Sequence, residues 1–348
     1  MELAYRQFEL ALRHHWAIAT DLGRGGGKSV YPVVFVELKD GQGRAGLGEA
    51  SPSSQYGENH ATVTEFLARV DPKQLSFDDI AGSMAYIEGL VPGRYPAKCA
   101  LNIALVDGAS KAAGKPLCEF LGLGPFREGA HVSSFTIGID TPEAMASKTV
   151  EAARYPILKM KLGSPKDREN FTAVRGAAPG KWIRVDANAG WKTREEALER
   201  IEWLAADGRV EFVEQPMPPE LPTADWAWLK ARSPLPLIGD ELYQSATDAT
   251  RCAECVHGIN VKLVKTGGVI RGKEALEAAR SLGLKTMLGC MIESSVLISA
   301  GAHLAALTDY LDLDGNVLIT NDPYRGVLNL DGRMSFEGVE AQSGLRVR

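Results

Sequence analysis

The sequence predicts an α/β fold, a (β/α) barrel preceded by an α+β unit, and three observations lead there. From about residue 130 onward, apolar runs of strand length alternate with amphipathic helical stretches, the pattern of parallel βα units. No glycine-rich dinucleotide fingerprint follows the first of these runs, which weighs against a doubly wound nucleotide-binding sheet. Most of the runs end in an ionisable residue, although a barrel strand covered on both faces should be almost wholly apolar.

The first 125 residues read as mixed structure. "HHWAIAT" (14–20) and "YPVVFVEL" (31–38) are strand-like, and "GRAGLGEASP" (43–52) is a turn followed by another strand. Between the first two lies "DLGRGGGK" (21–28), whose four glycines predict a flexible loop. Helical patterns such as "AKCALNIALVDGASKAAG" dominate from about 58 to 122. Eight strands are then expected in "HVSSFTIG", "YPILKMKL", "WIRVDANAG", "VEFVEQP", "PLIGDE", "GINVKLVKTGG", "LKTMLGCM" and "DYLDLDG". Helices are expected between them, for instance "TREEALERIEWLAADG" and "IRGKEALEAARSLG".

Bulk properties narrow the function classes. The 348 residues suit one large domain or two. Composition is 45% hydrophobic and 24% charged, with a net charge of −5, so neither nucleic acid nor an acidic membrane surface is an expected partner. No apolar run reaches 18 residues, and the first residues lack the apolar core of a signal peptide. Five scattered cysteines fit a reduced, cytoplasmic chain. Cys252 and Cys255 form the single C-x-x-C, and without a second pair or nearby histidines they read as buried helix residues rather than a zinc site.

The charges at the strand ends carry the chemistry. In "LKMKLG" (158–163), Lys159 and Lys161 share one strand face, while Leu158, Met160 and Leu162 share the other. Lys161 is followed by Asp186, Glu214, Asp240 and Lys262 at intervals of 25, 28, 26 and 22 residues, each about one βα unit. These residues should ring one mouth of the barrel, the face where barrel enzymes place their chemistry. Asp312 and Asp314 of "YLDLDGN" add a further pair. Taken singly, each motif reads as a solvated edge strand or an acid capping the next helix. Three successive strands delivering a carboxylate at the same end is a different matter, because like charges so gathered require a cation. Three carboxylates without histidine suit a hard octahedral ion, Mg²⁺, rather than zinc.

The run KMK, DAN, EQP, GDE and KLVKTGG resembles the enolase superfamily, in its muconate lactonizing enzyme subgroup, along essentially the whole chain. The resemblance implies an N-terminal α+β capping domain (1–125), a (β/α)7β barrel (126–319), and a tail (320–348) packing back on the cap. It implies Asp186, Glu214 and Asp240 as Mg²⁺ ligands, Lys161 and Lys262 as opposed bases, and Lys159 as a residue that tunes Lys161 and holds the substrate carboxylate. The superfamily's lysine or histidine base with a metal-stabilised enediolate is a known pattern. Bases on two faces allow a proton to leave one side and return on the other, giving racemisation or epimerisation.

Within the subgroup, a D-x-D at the eighth strand holds the free α-ammonium of a dipeptide substrate, and Asp312 and Asp314 match it. Thr136 resembles a substrate-contacting threonine, and "MLGCMIESS" (287–295) also looks like the dipeptide epimerases. The implied activity is a Mg-dependent epimerase of dipeptides, L-Ala-D/L-Glu-like or other. N-acylamino acid racemases, o-succinylbenzoate synthases and cycloisomerases of the subgroup are the alternatives. Arg24, in the glycine-rich loop, lies where one such epimerase type meets a substrate glutamate; a solvated loop arginine is the other reading. Tyr56 and Glu58 of "SSQYGE" should lie near the pocket or pack against it. Homo-oligomerisation is left open.

Overall fold

In the computed structural model, which describes residues 1–21 and 26–348, three antiparallel strands come first, in the order β1 (Glu2–Trp16), β2 (Lys28–Lys39), β3 (Ala45–Ala50). β1 starts well before the expected stretch at 14–20. Its first ten residues mix charge with apolar side chains and are mostly half-exposed or exposed, so they carry little strand signal alone. Pairing with β2, from Glu2 opposite Lys39 to Ala11 opposite Val30, is what holds them extended.

Alternation along β2 serves two cores. Tyr31, Val33 and Phe35 join the large core that continues into the barrel. Val34, Val36 and Leu38 pack instead with the helices α1 (His60–Leu67), α2 (Ile80–Leu90) and α3 (Tyr95–Ala112). Burying each such side chain contributes roughly 1.5–3 kcal/mol. Helix α3 is buried at 15 of its 18 residues, and its buried Lys98, Asn102 and Asp107 are paired with Glu88, Val269 N and Lys111. β3 lies directly on it: a Cβ at Gly46 or Gly48 would collide with the carbonyls of Ala104 and Ala100.

Among the described residues, eight parallel strands follow in ring order: β4 (Phe135–Ile137), β5 (Ile157–Lys161), β6 (Trp182–Asp186), β7 (Val210–Glu214), β8 (Leu237–Gly239), β9 (Gly258–Lys262), β10 (Lys285–Gly289) and β11 (Tyr310–Asp312). A parallel bridge between Ser133 and Leu311 joins the two ends. A helix lies in each of the seven crossovers, so the barrel is (β/α)7β as expected. Leu158 and Met160 of β5 and Leu162 just after it pack into the outer core, which leaves Lys159 and Lys161 for the interior. At the N-terminal end the interior is plugged by Phe212, Ile238 and Met287 with Tyr310, and the Arg184 guanidinium stacks over Phe212 and Tyr310 while its Nε donates to Glu211.

The tail touches both parts. Thr320 N donates to Ala11 O of β1 (2.9 Å) and Leu345 N to Asp107 Oδ1 of α3 (2.8 Å), while Gly129 N donates to Met334 O (2.9 Å) beneath the barrel. Cys252 and Cys255 are free and buried in the helix Ala249–Cys255. No helix among the described residues is long and apolar enough to cross a membrane.

Candidate active site

Strand register assembles the site. Lys161 lies opposite Asp186 across β5 and β6, and Asp186 opposite Glu214 across β6 and β7. Asp240 follows β8 by one residue, and Lys262 closes β9. The carboxylates of Asp186, Glu214 and Asp240 are buried and offer oxygens within 4.8 Å of one another. A cleft of about 820 Å³, open mouth included, lies above them between cap and barrel. Lys161, Lys262, Thr136, Asp312 and Asp314 all line it.

The four lysines of this mouth are held by its acids. Lys161 Nζ lies 2.6 Å from Asp186 Oδ2, and Lys262 Nζ 2.8 Å from Asp240 Oδ2. Lys159 Nζ reaches Asp312 Oδ2 (2.7 Å), Glu214 Oε2 (2.8 Å) and Asp186 Oδ2 (3.2 Å). Burial opposes the charge on Lys159, but Asp312, Glu214 and Asp186 outweigh it and hold the ammonium well above the usual lysine range. The balance at Lys262 is the same, with burial overcome chiefly by Asp240. Burial and the neighbouring Asp186 push Glu214 up to about 7, whereas Asp240 stays low because Lys262 and Lys265 outweigh its burial.

The triad fits a hard divalent cation. All three donors are carboxylates, with no nitrogen or sulfur among them. Glu214 Oε2, although close to Lys159, is buried and accepts no well-directed hydrogen bond among the described residues. Asp186 and Asp240 both add to the rise of Glu214, a repulsion that a cation among the three would relieve.

On the far side, Asp312 Oδ1 accepts from Ser134 Oγ (2.7 Å), and Asp314 Oδ2 accepts from the Thr136 backbone N–H (2.7 Å). Burial and Asp312 together push the Asp314 carboxyl up to about 7. Glu58 is turned to Arg94 (3.2 Å) and Thr62 in the cap, so it packs rather than lines the cleft. The Tyr56 hydroxyl is buried without a hydrogen-bond partner among the described residues, and the fields of Asp240 and Glu241 rank next after burial in pushing it far above the usual tyrosine range. Arg24 lies outside the described residues.

Several supporting residues escape a reading of the strand-end charges. Lys265, the second lysine of KLVK, donates to Asp240 Oδ1 (2.5 Å) and to the carbonyls of Asp240, Tyr243 and Asn260. Asn260 donates to Glu214 Oε1 (2.8 Å); its signal was its place two residues before Lys262, on the same strand face. Gln215 Oε1 accepts from the backbone N–H groups of Asp240 and Leu242 (both 3.0 Å), which ties the second acid's loop to the third. Gln215, Asn188 and Ala189 have φ of 38°, 42° and 60°, so strained backbone sits just after Glu214 and two to three residues after Asp186.

Residues 143–333 match the family model described as Enolase C-terminal domain-like. The chain is 53% identical over 348 residues to an L-Ala-D/L-amino acid epimerase of Pedosphaera parvula, covering 100% of this chain and 99% of that one. It is 38% identical to an L-Ala-D/L-Glu epimerase of Bacteroides thetaiotaomicron, covering 97% and 85%. Among solved structures, a dipeptide epimerase of Enterococcus faecalis complexed with Mg and L-Leu-L-Tyr superposes with a TM-score of 0.87 at 27% identity, covering 99% and 98%.

Proposed function

The chain belongs to the Enolase C-terminal domain-like family, and from that membership and the site we propose that it is a Mg²⁺-dependent dipeptide epimerase. One observation carries the reading. β5 and β9 are four places apart in an eight-strand ring, so Lys161 and Lys262 face one cleft from opposite walls. A carbon held between them can lose a proton to one and regain it from the other with inverted configuration.

The remaining groups fit a dipeptide. Only its C-terminal residue has an α-carbon bearing a free carboxylate, so that carbon belongs between the lysines. Asp186, Glu214 and Asp240 would hold Mg²⁺, which when bound supplies Lewis-acid stabilisation of the charge that builds on the substrate carboxylate. Lys159 adds a fixed positive charge beside it. A lysine base works only as the free amine, and the bare acids favour the ammonium of Lys262, so proton transfer needs those acids neutralised. Asp312 and Asp314, next to Thr136, offer acceptors to the substrate's α-ammonium.

The test is a dipeptide library incubated in D₂O with Mg²⁺ and read by mass spectrometry and chiral analysis. Deuterium gained at the C-terminal α-carbon with formation of the second epimer is the expected result. Exchange of N-acylamino acids in preference to free dipeptides would overturn the dipeptide assignment.

We further propose the division into a cap (1–125), a barrel (126–319) and a returning tail, and a cytoplasmic location. The interleaved contacts of the tail with β1 and α3 support the first, and five free cysteines the second.

A further inference from the structure

We propose that Glu49 and Ser51, both from the cap, are positioning residues that set the loop after β10 against Lys262, and so govern proton transfer on one face of the cleft. Glu49 is fully buried, with no ion-pair partner among the described residues. Packing alone would be better served by an apolar side chain, because a buried lone carboxylate is costly unless donors surround it. Its donors all come from the barrel: Ser294 Oγ (2.5 Å), Ser294 N (3.0 Å) and Leu297 N (3.2 Å), at the N-terminus of the helix Ser295–Ala302. Burial raises its carboxyl to about 7, and these donors at the helix N-terminus oppose that rise.

The same loop is held at three more points. Ser51 Oγ donates to Ile292 O (2.8 Å), and Met291 N donates to Glu293 Oε1 (2.9 Å). From the tail, Asp322 Oδ2 accepts from Ser295 N (2.8 Å) and Ser295 Oγ (2.7 Å). What these anchors fix is a wall of the cleft, since Cys290, Met291 and Ile292 line it. Met291 Sδ lies 3.9 Å from Lys262 Nζ, whereas Lys161 Nζ bonds to Asp186 on the other wall and, among the described residues, makes no hydrogen bond to this loop. Loosening the loop should therefore disturb the Lys262 wall and spare the Lys161 wall.

The inference rests on the reading of Lys161 and Lys262 as opposed bases, and its test separates the two. Glu49→Gln and Ser51→Ala are compared with the wild-type chain by two measurements. Amide hydrogen exchange over residues 288–298 reports the anchor without turnover. Deuterium wash-in is measured from each epimer separately, with Lys262→Ala identifying which epimer Lys262 serves. The expected result is faster amide exchange, and a loss of roughly ten- to hundredfold in wash-in from the Lys262 epimer in Glu49→Gln, with less than about twofold from the other. Ser51→Ala should move both readouts the same way by less, and it decides the matter if Glu49→Gln does not fold. Equal slowing of both epimers, or unchanged wash-in despite a loosened loop, would overturn the positioning role. A wild-type chain that exchanges neither epimer would overturn the two-base reading, and amide exchange alone would then decide the anchor.

Discussion

Asp312 and Asp314 sit two residues apart and yet hold their protons differently. Asp312 is kept below the usual carboxylate range, as Lys159 and Lys161 outweigh its burial. Asp314, deprived of such a partner and facing Asp312, is pushed up to about 7. Only its ionised form attracts an ammonium group, and that form grows as pH rises through this value. Binding of a dipeptide α-methylated at its C-terminal residue, which has no proton to lose, should therefore tighten between pH 6 and pH 8. The limit is roughly tenfold, the ratio of ionised fractions on either side of such a pKa. Calorimetric titration checks it, and Asp314→Asn should flatten the profile. Asp312→Asn removes one of the three acids around Lys159, which keeps Glu214 and Asp186, and should lower stability by about 1.5–3 kcal/mol in urea unfolding. At the lysines, Lys161→Ala and Lys262→Ala should each abolish net epimerisation while one epimer still exchanges its α-proton in D₂O. Wild-type epimerisation by Lys262→Ala would reduce that residue to an electrostatic partner.

β3 shows how one short element is shaped by two neighbours. Alternation turns Gly46 and Gly48 to α3, where there is no room for a methyl group, and turns Glu49 to the opposite face. Six residues thus carry both the cap's closest packing and its polar grip on the barrel. Gly48→Ala should cost about 1–3 kcal/mol by overpacking, seen as a lower midpoint in chemical denaturation. A midpoint equal to wild type would mean that α3 can yield at Ala100.

For the whole molecule, the decisive quantity is the charge gathered in one buried mouth. Three acids there hold Lys159, Lys161, Lys262 and Lys265, and at Lys159 and Lys262 they favour the ammonium, an arrangement opposed to base catalysis. Thorough treatment with EDTA should abolish epimerisation, and added Mg²⁺ should restore it. Because the site exists only in the folded chain, Mg²⁺ at a hundred times its dissociation constant should stabilise the fold by ~2.7 kcal/mol, read as a higher melting temperature. A melting temperature indifferent to Mg²⁺ and EDTA would remove the metal from the site.

The barrel and its ring of charges were legible from residues 130 to 319 because βα units repeat. Each unit returns the chain to the same end, so an interval of 22 to 28 residues becomes proximity without any knowledge of packing. Hence Lys159, Lys161, Asp186, Glu214, Asp240, Lys262, Asp312 and Asp314 could be named from spacing and motif. β1 was legible only in part, since its charged N-terminal half is held extended by β2 rather than by its own pattern. Gln215 and Lys265 were not legible, as each acts through a side-chain reach that the local sequence does not encode, and Asn260 had only its shared strand face with Lys262 to mark it. Least legible was Glu49: in "GLGEAS" it reads as one more surface acid, and its partners lie some 245 residues away. Periodicity within a repeat is a local property, which sequence by itself determines. The docking of cap on barrel joins surfaces with no common period, and only the tertiary structure decides it.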